Sequence, residues 1–135
     1  MMEYRDDVTT LSTNQLAGGL FREWPTLPSD DLLLAHLRGA ELAIVAVDVQ
    51  SGQVIGLVSA IGDGVFASFV PLLEVVPAYR GRGVGAELVR RVLARLGDRY
   101  SIDLVCDADL VPFYERLGGT PGTAVMWRNR GALVT

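Results

Sequence analysis

Alternating glycines and arginines at residues 80–86 are the part of the sequence whose residue types and spacing most directly indicate chemistry. The run RGRGVGA follows an apolar segment that ends at Val76 and opens a helical pattern that begins at Val84. Glycines leave the backbone accessible to a ligand, and N–H groups at a helix N-terminus attract anions. The run therefore predicts a pyrophosphate site, with a glycine turn chosen only for tight packing as the alternative. The predicted binding residues are Arg80, Gly81, Arg82, Gly83, Val84, Gly85 and Ala86.

A dinucleotide is one anionic ligand that such a run can hold. The pattern Gly81-x-Gly83-x-x-Ala86 satisfies the dinucleotide fingerprint in form, and Asp103 lies about 20 residues further on, at the spacing of the acid that contacts a ribose. A doubly wound half needs two more βα units, however, and only about 50 residues remain after the run. Asp103 also falls early in its strand rather than at the strand end. The dinucleotide is therefore the weaker prediction.

Composition restricts the class of protein more than it identifies one. The 135 residues contain no lysine, which excludes a Walker A phosphate loop and lysine Schiff-base chemistry. The net charge of −4 does not suit a nucleic-acid-binding surface, although residues 80–99 are locally basic. One cysteine and one histidine argue against a disulfide and against a metal site. With no secretory signal and no membrane-spanning apolar run, we expect a single cytoplasmic domain over residues 1–135.

Hydrophobic patterns and turn residues place the glycine run within an α/β domain. Helices are predicted over about 13–22 and over about 30–38, the second with Ser29 as its N-cap and Gly39 at its end. After a short strand near Tyr4, strands are predicted over 42–47, 54–61 and 65–76, the first two of these as a hairpin. Pro71 lacks an amide hydrogen, so the third of them should be bulged or splayed from a neighbour there.

The second half of the sequence alternates between helices and strands. Residues 84–96 form the clearest predicted helix, because their apolar positions fall on one face. A buried strand at 101–106, a short helix at 109–117 and a last strand near 123–128 complete the order. Together, these helices and strands predict a mixed-sheet α/β domain.

Residues 75–86 resemble the cofactor motif of the GNAT superfamily of N-acetyltransferases. The family pattern is Gln or Arg, two residues, Gly, one residue and then Gly or Ala, after a splayed strand; Arg80, Gly83 and Gly85 match it. Residues 113–118 (FYERLG) resemble a second family element, a helix that carries a tyrosine before a Leu-Gly ending. The resemblance covers almost the whole chain. It implies a mostly antiparallel central sheet with a splayed strand pair, flanked by about four helices.

Acetyl-CoA is the co-substrate that the resemblance implies, with direct transfer of its acetyl group to an amine. Its pantetheine arm would pair with the backbone of Leu73, Glu74 and Val75, and one of these N–H groups would polarise the thioester carbonyl. Tyr114 is the implied acid that protonates the coenzyme A sulfur. The alternative for Tyr114 is a helix tyrosine that only packs against its neighbours.

A base for the amine is harder to assign. Many family members carry an acidic residue early on the splayed strand, where this sequence has Pro71 and Leu72. Glu74 is the only carboxylate on that strand. It is either a base or substrate contact, or a strand-face charge that Arg80 or another arginine neutralises. The missing acid leaves a second hypothesis open, a non-catalytic acyl-CoA-binding or sensory module on the same fold.

Three further side chains are weighed as candidates. Trp24 would either wall the acceptor pocket or anchor the proline-rich turn to the core. Cys106 is predicted to be a buried thiol rather than a nucleophile, and His36 to be structural. The expected partners are therefore acetyl-CoA and a small-molecule or peptide amine, without a metal, a nucleic acid or a membrane. The high apolar content permits a homodimer.

Overall fold

A five-stranded sheet forms the centre of the computed structural model, which describes residues 1–134. Its strands lie side by side in chain order and are β1 (Met2–Arg5), β2 (Leu42–Asp48), β3 (Val54–Gly62), β4 (Ala67–Val75) and β5 (Ser101–Leu104). Neighbouring strands are antiparallel except β4 and β5, which are parallel. This arrangement confirms the predicted mixed, mostly antiparallel α/β fold.

Three α-helices accompany the sheet, slightly fewer than the predicted four. They are α1 (Asp30–Gly39), α2 (Val84–Leu96) and α3 (Val111–Glu115), with short 3-10 turns elsewhere. As predicted, Ser29 caps α1, because its Oγ accepts the N–H of Leu32 (3.2 Å). Helix α2 packs on β2, β3 and β4 through a buried face that comprises Val84, Leu88, Val89, Val92 and Leu96.

A glycine on β3 sets how closely α2 approaches the sheet. A Cβ added at Gly56 would lie 3.1 Å from the Val84 side chain and 3.3 Å from that of Leu88. Val84 and Leu88 are themselves almost completely buried. The absence of a side chain at Gly56 therefore allows the first turn of α2 to lie directly on the strand next to β4.

The predicted helix over 13–22 is wrong beyond its first turn. Only Thr13–Leu16 forms a 3-10 turn, and the chain then leaves helical geometry at Gly19 and Phe21, whose φ angles are +104° and +61°. Positive φ is uncommon for a residue with a side chain. Burial of Phe21 compensates, because this residue is only 3% exposed. Packing of individual side chains has overridden local helix preference here.

The predicted last strand over 123–128 does not form either. Residues 119–129 have no regular secondary structure. The strand predicted at 65–76 starts later, at Ala67, because Asp63 Oδ1 accepts the N–H groups of Val65 (3.0 Å), Phe66 (2.7 Å) and Ala67 (3.1 Å) in a turn. Among the helices of the described residues, none combines the length and apolar character that a membrane crossing requires.

Candidate functional site

The cleft between β4 and β5 begins at Pro71. The two strands pair only over Ala67–Val70 of β4, and beyond Pro71 that strand is paired with β3 alone. On the other side of β4, the pairing with β3 is irregular at the same point. Val70 and Pro71 of β4 both lie opposite the single residue Ala60 of β3. A proline suits such a bulge, because the extra residue makes no ladder hydrogen bond. The predicted bulge and splay are therefore confirmed, and β4 has one open edge after Pro71.

Alternation along β4 decides which backbone groups face that open edge. The N–H of Val76 donates to the carbonyl of Ile55 on β3 (2.8 Å). Because N–H and C=O groups of successive strand residues point to opposite edges, the backbone of Glu74 also faces β3, whereas Leu73 and Val75 face the cleft. Contact of the Glu74 backbone with a pantetheine arm does not fit this register. Leu73 and Val75 are oriented for such a contact.

Six consecutive amides after the strand have no acceptor in the described chain. They are the N–H groups of residues 81–86. The N–H of Arg80 before them donates to the carbonyl of Pro77 (3.2 Å), and that of Glu87 after them donates to Gly83 (3.0 Å). No side chain caps α2, since its N-cap is Gly83. Unpaired N–H groups at the positive end of a helix form an anion site.

Gly81 and Gly83 shape this loop through backbone conformation rather than through packing. Their φ angles are +77° and +81°, a region that costs other residues roughly 1–2 kcal/mol. A Cβ at either position would meet no atom within 4 Å. The packing alternative therefore does not account for Gly81 or Gly83, and open space lies over both of these glycines. That space and the free amides fit a pyrophosphate.

The guanidinium of Arg80 is engaged by protein groups. Its Nε donates to the carbonyl of Val75 (3.0 Å), Nη2 to Glu74 Oε1 (3.0 Å) and Nη1 to Glu23 Oε1 (2.5 Å). Two carboxylates neutralise this arginine, so its side chain does not supply the free positive charge predicted for the anion site. Arg82 lies 5.3 Å from the centre of the Tyr79 ring. It forms no ion pair with the described residues and remains the free cation of the loop.

Glu74 is a largely buried carboxylate with one unpaired oxygen. Its side chain is 10% exposed. Oε1 accepts from Arg80 and from the N–H of Val75 (3.2 Å), while no donor from residues 1–134 reaches Oε2. Burial raises the pKa of Glu74, and the hydrogen bonds and charge of Arg80 oppose that rise only in part. The predicted neutralisation by Arg80 is thus present, and it leaves Oε2 able to accept a proton.

Tyr114 lies half-buried on α3 with an unpartnered hydroxyl. Its ring packs edge-to-face on Phe113, with ring centres 4.9 Å apart. Burial, with a smaller contribution from Cys106, raises the pKa of Tyr114 to about 12. The hydroxyl makes no hydrogen bond to any group in the described chain. Packing of the ring and availability of the hydroxyl therefore coexist.

Three elements of the site meet at Gly85 in the first turn of α2. A Cβ at this position would lie 3.6 Å from Phe113 Cζ on α3 and 3.7 Å from Val75 Cγ2 on β4. Glu74 and Tyr114 are the chain neighbours of these two contacting residues. The free amides, the open edge of β4 and the helix that carries Tyr114 are consequently brought to one place.

The loop before α1 contacts Arg80 through Glu23. This contact joins residues 57 positions apart in sequence, so no local pattern could indicate it. Trp24 is half-buried and packs edge-on against Phe21, with ring centres 4.9 Å apart. This packing favours the anchoring role of Trp24. A hollow of about 190 Å³ beside the loop is bordered by Phe21 and Leu27, but not by Glu74 or Tyr114.

The remaining candidates have structural surroundings. His36 Nε2 lies 2.8 Å from the Oγ of buried Ser59, and burial lowers the pKa of His36. Burial and two nearby aspartates raise the pKa of Cys106, which disfavours a thiolate nucleophile. Within residues 1–134, no cluster of three His, Cys, Asp or Glu side chains could hold a metal ion.

Known proteins are similar to this chain in both sequence and architecture. Residues 8–119 match the sequence profile of the acetyltransferase (GNAT) family. A candidate acetyltransferase of Deinococcus radiodurans R1, known from a crystal structure, is 42% identical, with a TM-score of 0.90 over 96% of this chain and 90% of that one.

More distant structures share the fold alone. A GNAT family acetyltransferase from Streptococcus pneumoniae TIGR4 has 23% identity and a TM-score of 0.76, over 96% of this chain and 99% of that one. Glucosamine-6-phosphate N-acetyltransferase from Arabidopsis thaliana has 17% identity and a TM-score of 0.71, over 96% and 98% of the two chains. With its splayed strand, its free loop amides and a family profile over most of its length, the chain belongs to the GNAT family of acetyltransferases.

Proposed function

We propose that the protein transfers the acetyl group of acetyl-CoA directly to the nitrogen of an amine. The observation that carries this proposal is the row of six unpaired amides at residues 81–86, next to the open edge of β4. A pyrophosphate accepts several N–H groups at once, and an amide-containing arm can extend a strand edge. Coenzyme A contains both chemical groups. Direct transfer also needs no nucleophile, in agreement with the unreactive environment of Cys106.

The backbone of Leu73 and Val75 supplies the contacts to the pantetheine arm in this proposal. The Val75 carbonyl already accepts from Arg80, and its N–H already contacts Glu74. Leu73 therefore offers the less encumbered pair of backbone groups. Its N–H is the donor that we assign to the thioester carbonyl, where negative charge develops during attack.

Glu74 is the proposed base. An amine of ordinary pKa is almost entirely protonated at neutral pH and must lose a proton before it attacks. Oε2 of Glu74 accepts no hydrogen bond from the described residues, and burial raises the pKa of this carboxyl toward the working range of a base. The amine nitrogen then forms the C–N bond, and the C–S bond to coenzyme A breaks.

Tyr114 is the proposed hydrogen-bond donor to the departing sulfur. With a pKa of about 12, its hydroxyl is protonated at every working pH. A thiol has a pKa of about 8.5, so complete transfer of the phenolic proton to the coenzyme A thiolate would cost roughly 5 kcal/mol. A hydrogen bond that stabilises the developing thiolate is therefore the larger contribution, with final protonation coming from the proton that the amine releases.

Calorimetric titration with acetyl-CoA tests the anion site. Gly83→Ala should weaken binding at least about tenfold, because an L-residue is strained at positive φ and displaces the amides. Gly52→Ala is the matched control, since Gly52 has a φ of +73° and equally open surroundings in the β2–β3 turn. Tighter binding of NAD than of acetyl-CoA, or equal affinities of the two variants, would contradict the assignment.

Turnover separates the enzyme from the non-catalytic alternative. Release of free thiol from acetyl-CoA is measured with a panel of small amines, aminoglycosides and peptide N-termini. The proposal predicts stoichiometric thiol release and acetylated product with at least one amine. Tight acetyl-CoA binding without turnover on any of them would favour an acyl-CoA-binding or sensory module. The acceptor amine and residence in the cytoplasm stay predictions.

A further inference from the structure

The side chain of Glu74 points away from α2. Gly56 of β3 faces α2, since a Cβ added there would lie 3.1 Å from a side chain of that helix. Val75 is paired with Gly56, and its Cγ2 lies close to Gly85 in the same helix. Directly opposite residues of an antiparallel pair share a face of the sheet, and successive residues of a strand alternate between the two faces. Glu74 therefore lies on the other face.

Helix α1 lies on that other face and leaves part of it uncovered. His36 of α1 contacts Ser59 of β3 (Nε2 to Oγ, 2.8 Å), and Leu72 of β4 is paired with Ser59. Ile61 lies two residues beyond Ser59 on β3, so it shares this face, and it is paired with Phe69. Ile61 and Phe69 are 42% and 38% exposed, whereas Leu72 is partly buried.

Glu74, Leu72, Phe69 and Ile61 together form an apolar surface with a carboxylate at one end, here called the acceptor face. A strand rises about 3.3 Å per residue, so Leu72 lies about 7 Å from Glu74, and Phe69 lies about 15 Å from it. Exposed large apolar side chains beside a functional polar group are typical of a binding surface. A ring joined to nitrogen by two carbons reaches Leu72, and a longer alkyl chain reaches Phe69.

Charged groups on and beside the acceptor face are acidic, except for one arginine that is already neutralised. Two charged residues, Glu74 and Asp103, are present in β3, β4 and β5, and Asp103 is the β5 partner of Phe69. The guanidinium of Arg80 is held by Glu74 and Glu23. Net negative charge attracts an incoming ammonium group. A carboxylate or phosphate on the acceptor would find no free cation among these residues.

We propose that the acceptor is a primary amine on an uncharged apolar body, either an arylalkylamine or a long-chain alkylamine, and that this body lies on the acceptor face. The inference rests on the acetyl-transfer proposal and names its substrate class. The ammonium group gives one proton to Oε2 of Glu74. The neutral nitrogen forms the C–N bond as the C–S bond breaks, and its second proton passes to the coenzyme A sulfur. Glu74 then returns its proton to solvent.

Three matched amines provide the first test. Phenethylamine and ethylamine differ by a phenyl ring, and phenethylamine and free phenylalanine differ by a carboxylate. Half-burial of a ring should raise kcat/KM for phenethylamine at least about tenfold above that for ethylamine. The value for phenylalanine should be lower by a similar factor, because its carboxylate would lie beside Glu74. Among linear alkylamines, kcat/KM should rise about two- to fourfold per added methylene up to about eight carbons.

Variants of the acceptor face provide the second test. Phe69→Ser should lower kcat/KM for octylamine at least about fivefold and leave that for ethylamine unchanged, because only the longer chain reaches this position. Ile61→Ser is an independent variant with the same expected pattern. Leu93→Ser is the matched control, since Leu93 is likewise 38% exposed but lies on α2, and it should change neither value. Circular dichroism verifies that each variant is folded.

Glu23 tests the charge argument. Glu23→Gln removes a negative charge beside Arg80, so the preference for phenethylamine over phenylalanine should narrow at least about threefold. Asp6→Asn is the matched control, since Asp6 pairs with Arg95 at the same 2.5 Å separation and at comparable exposure outside the acceptor face. This control should leave the preference unchanged.

Saturation-transfer NMR of octylamine with the coenzyme A complex measures recognition without turnover. Octylamine should bind the wild-type complex and bind Phe69→Ser at least about fivefold more weakly. This binding pattern without acetylation of any amine would contradict the acetyl-transfer proposal and keep the acceptor face as an amine-binding surface. Equal kcat/KM for phenethylamine and ethylamine, a preference for phenylalanine, or an octylamine affinity that is unchanged in Phe69→Ser would overturn the inference itself.

Discussion

Removal of the Arg80 guanidinium should move the pH dependence of acetyl transfer to higher pH. In Arg80→Gln, Glu74 loses the cation that lies 3.0 Å from its Oε1, while the burial that raises the pKa of Glu74 stays. Loss of an opposite charge favours the protonated carboxyl. The basic form of Glu74 would then be populated only at higher pH than in the wild-type protein.

The size of the shift follows from the exposure of the pair. An adjacent cation lowers a carboxyl pKa by roughly 1–3 units. The Arg80 side chain is 45% exposed, so solvent screening places the effect near the low end of this range. We expect the acid limb of kcat/KM to rise by about one pH unit, equivalent to ~1.4 kcal/mol. Glu23→Gln should produce a smaller shift in the opposite direction, because the charge of Glu23 raises the pKa of Glu74.

The assay is chromatographic measurement of acetyl-CoA consumption between about pH 5 and about pH 9. Arg82→Gln is the matched control, since it removes a charge from the same loop without touching a carboxylate. It should weaken acetyl-CoA binding and leave the acid limb in place. An unchanged limb in Arg80→Gln, or equal shifts in both variants, would refute the assignment of Glu74 as the base.

Three further predictions concern single side chains. Tyr114→Phe should lower kcat roughly 100-fold at an unchanged KM for acetyl-CoA, because only the donor to the sulfur is lost; wild-type kcat would exclude this role. Gly62→Ala should destabilise the fold by about 1–3 kcal/mol in urea denaturation, since its Cβ would clash with the Ala67 carbonyl, whereas Gly39→Ala, with no atom within 4 Å, should not. The pKa of His36 is lowered by burial, so the unfolded chain binds the proton more readily, and stability should fall as pH drops below about 6.5. His36→Gln should flatten that part of the stability profile.

Features fixed by local sequence were predictable. The Ser29 cap, the apolar face of α2 and the interruption of β4 at Pro71 each depend on a residue type and its near neighbours, and each is present. The glycine run likewise indicated free backbone amides. Local chemistry was thus sufficient to locate the unpaired amides at the start of α2.

Features fixed by distant contacts were not predictable. The predicted helix over 13–22 is replaced by a loop, because burial of Phe21 outweighs local preference. The Arg80 side chain was assigned to the anion, yet it pairs with Glu74 and with a glutamate 57 residues away. The strand predicted over 123–128 has no pairing partner among residues 1–134, and strand formation requires a second strand.

Residue-resolved NMR of the amides during titration with acetyl-CoA tests the central claim most directly. If residues 81–86 hold the pyrophosphate and the edge of β4 holds the pantetheine arm, the largest chemical-shift changes should occur at those six amides and at Leu73. The amide of Gly52, in an equally exposed turn, should not move. Saturable binding with the main changes outside this loop, or no change at residues 81–86, would contradict the account.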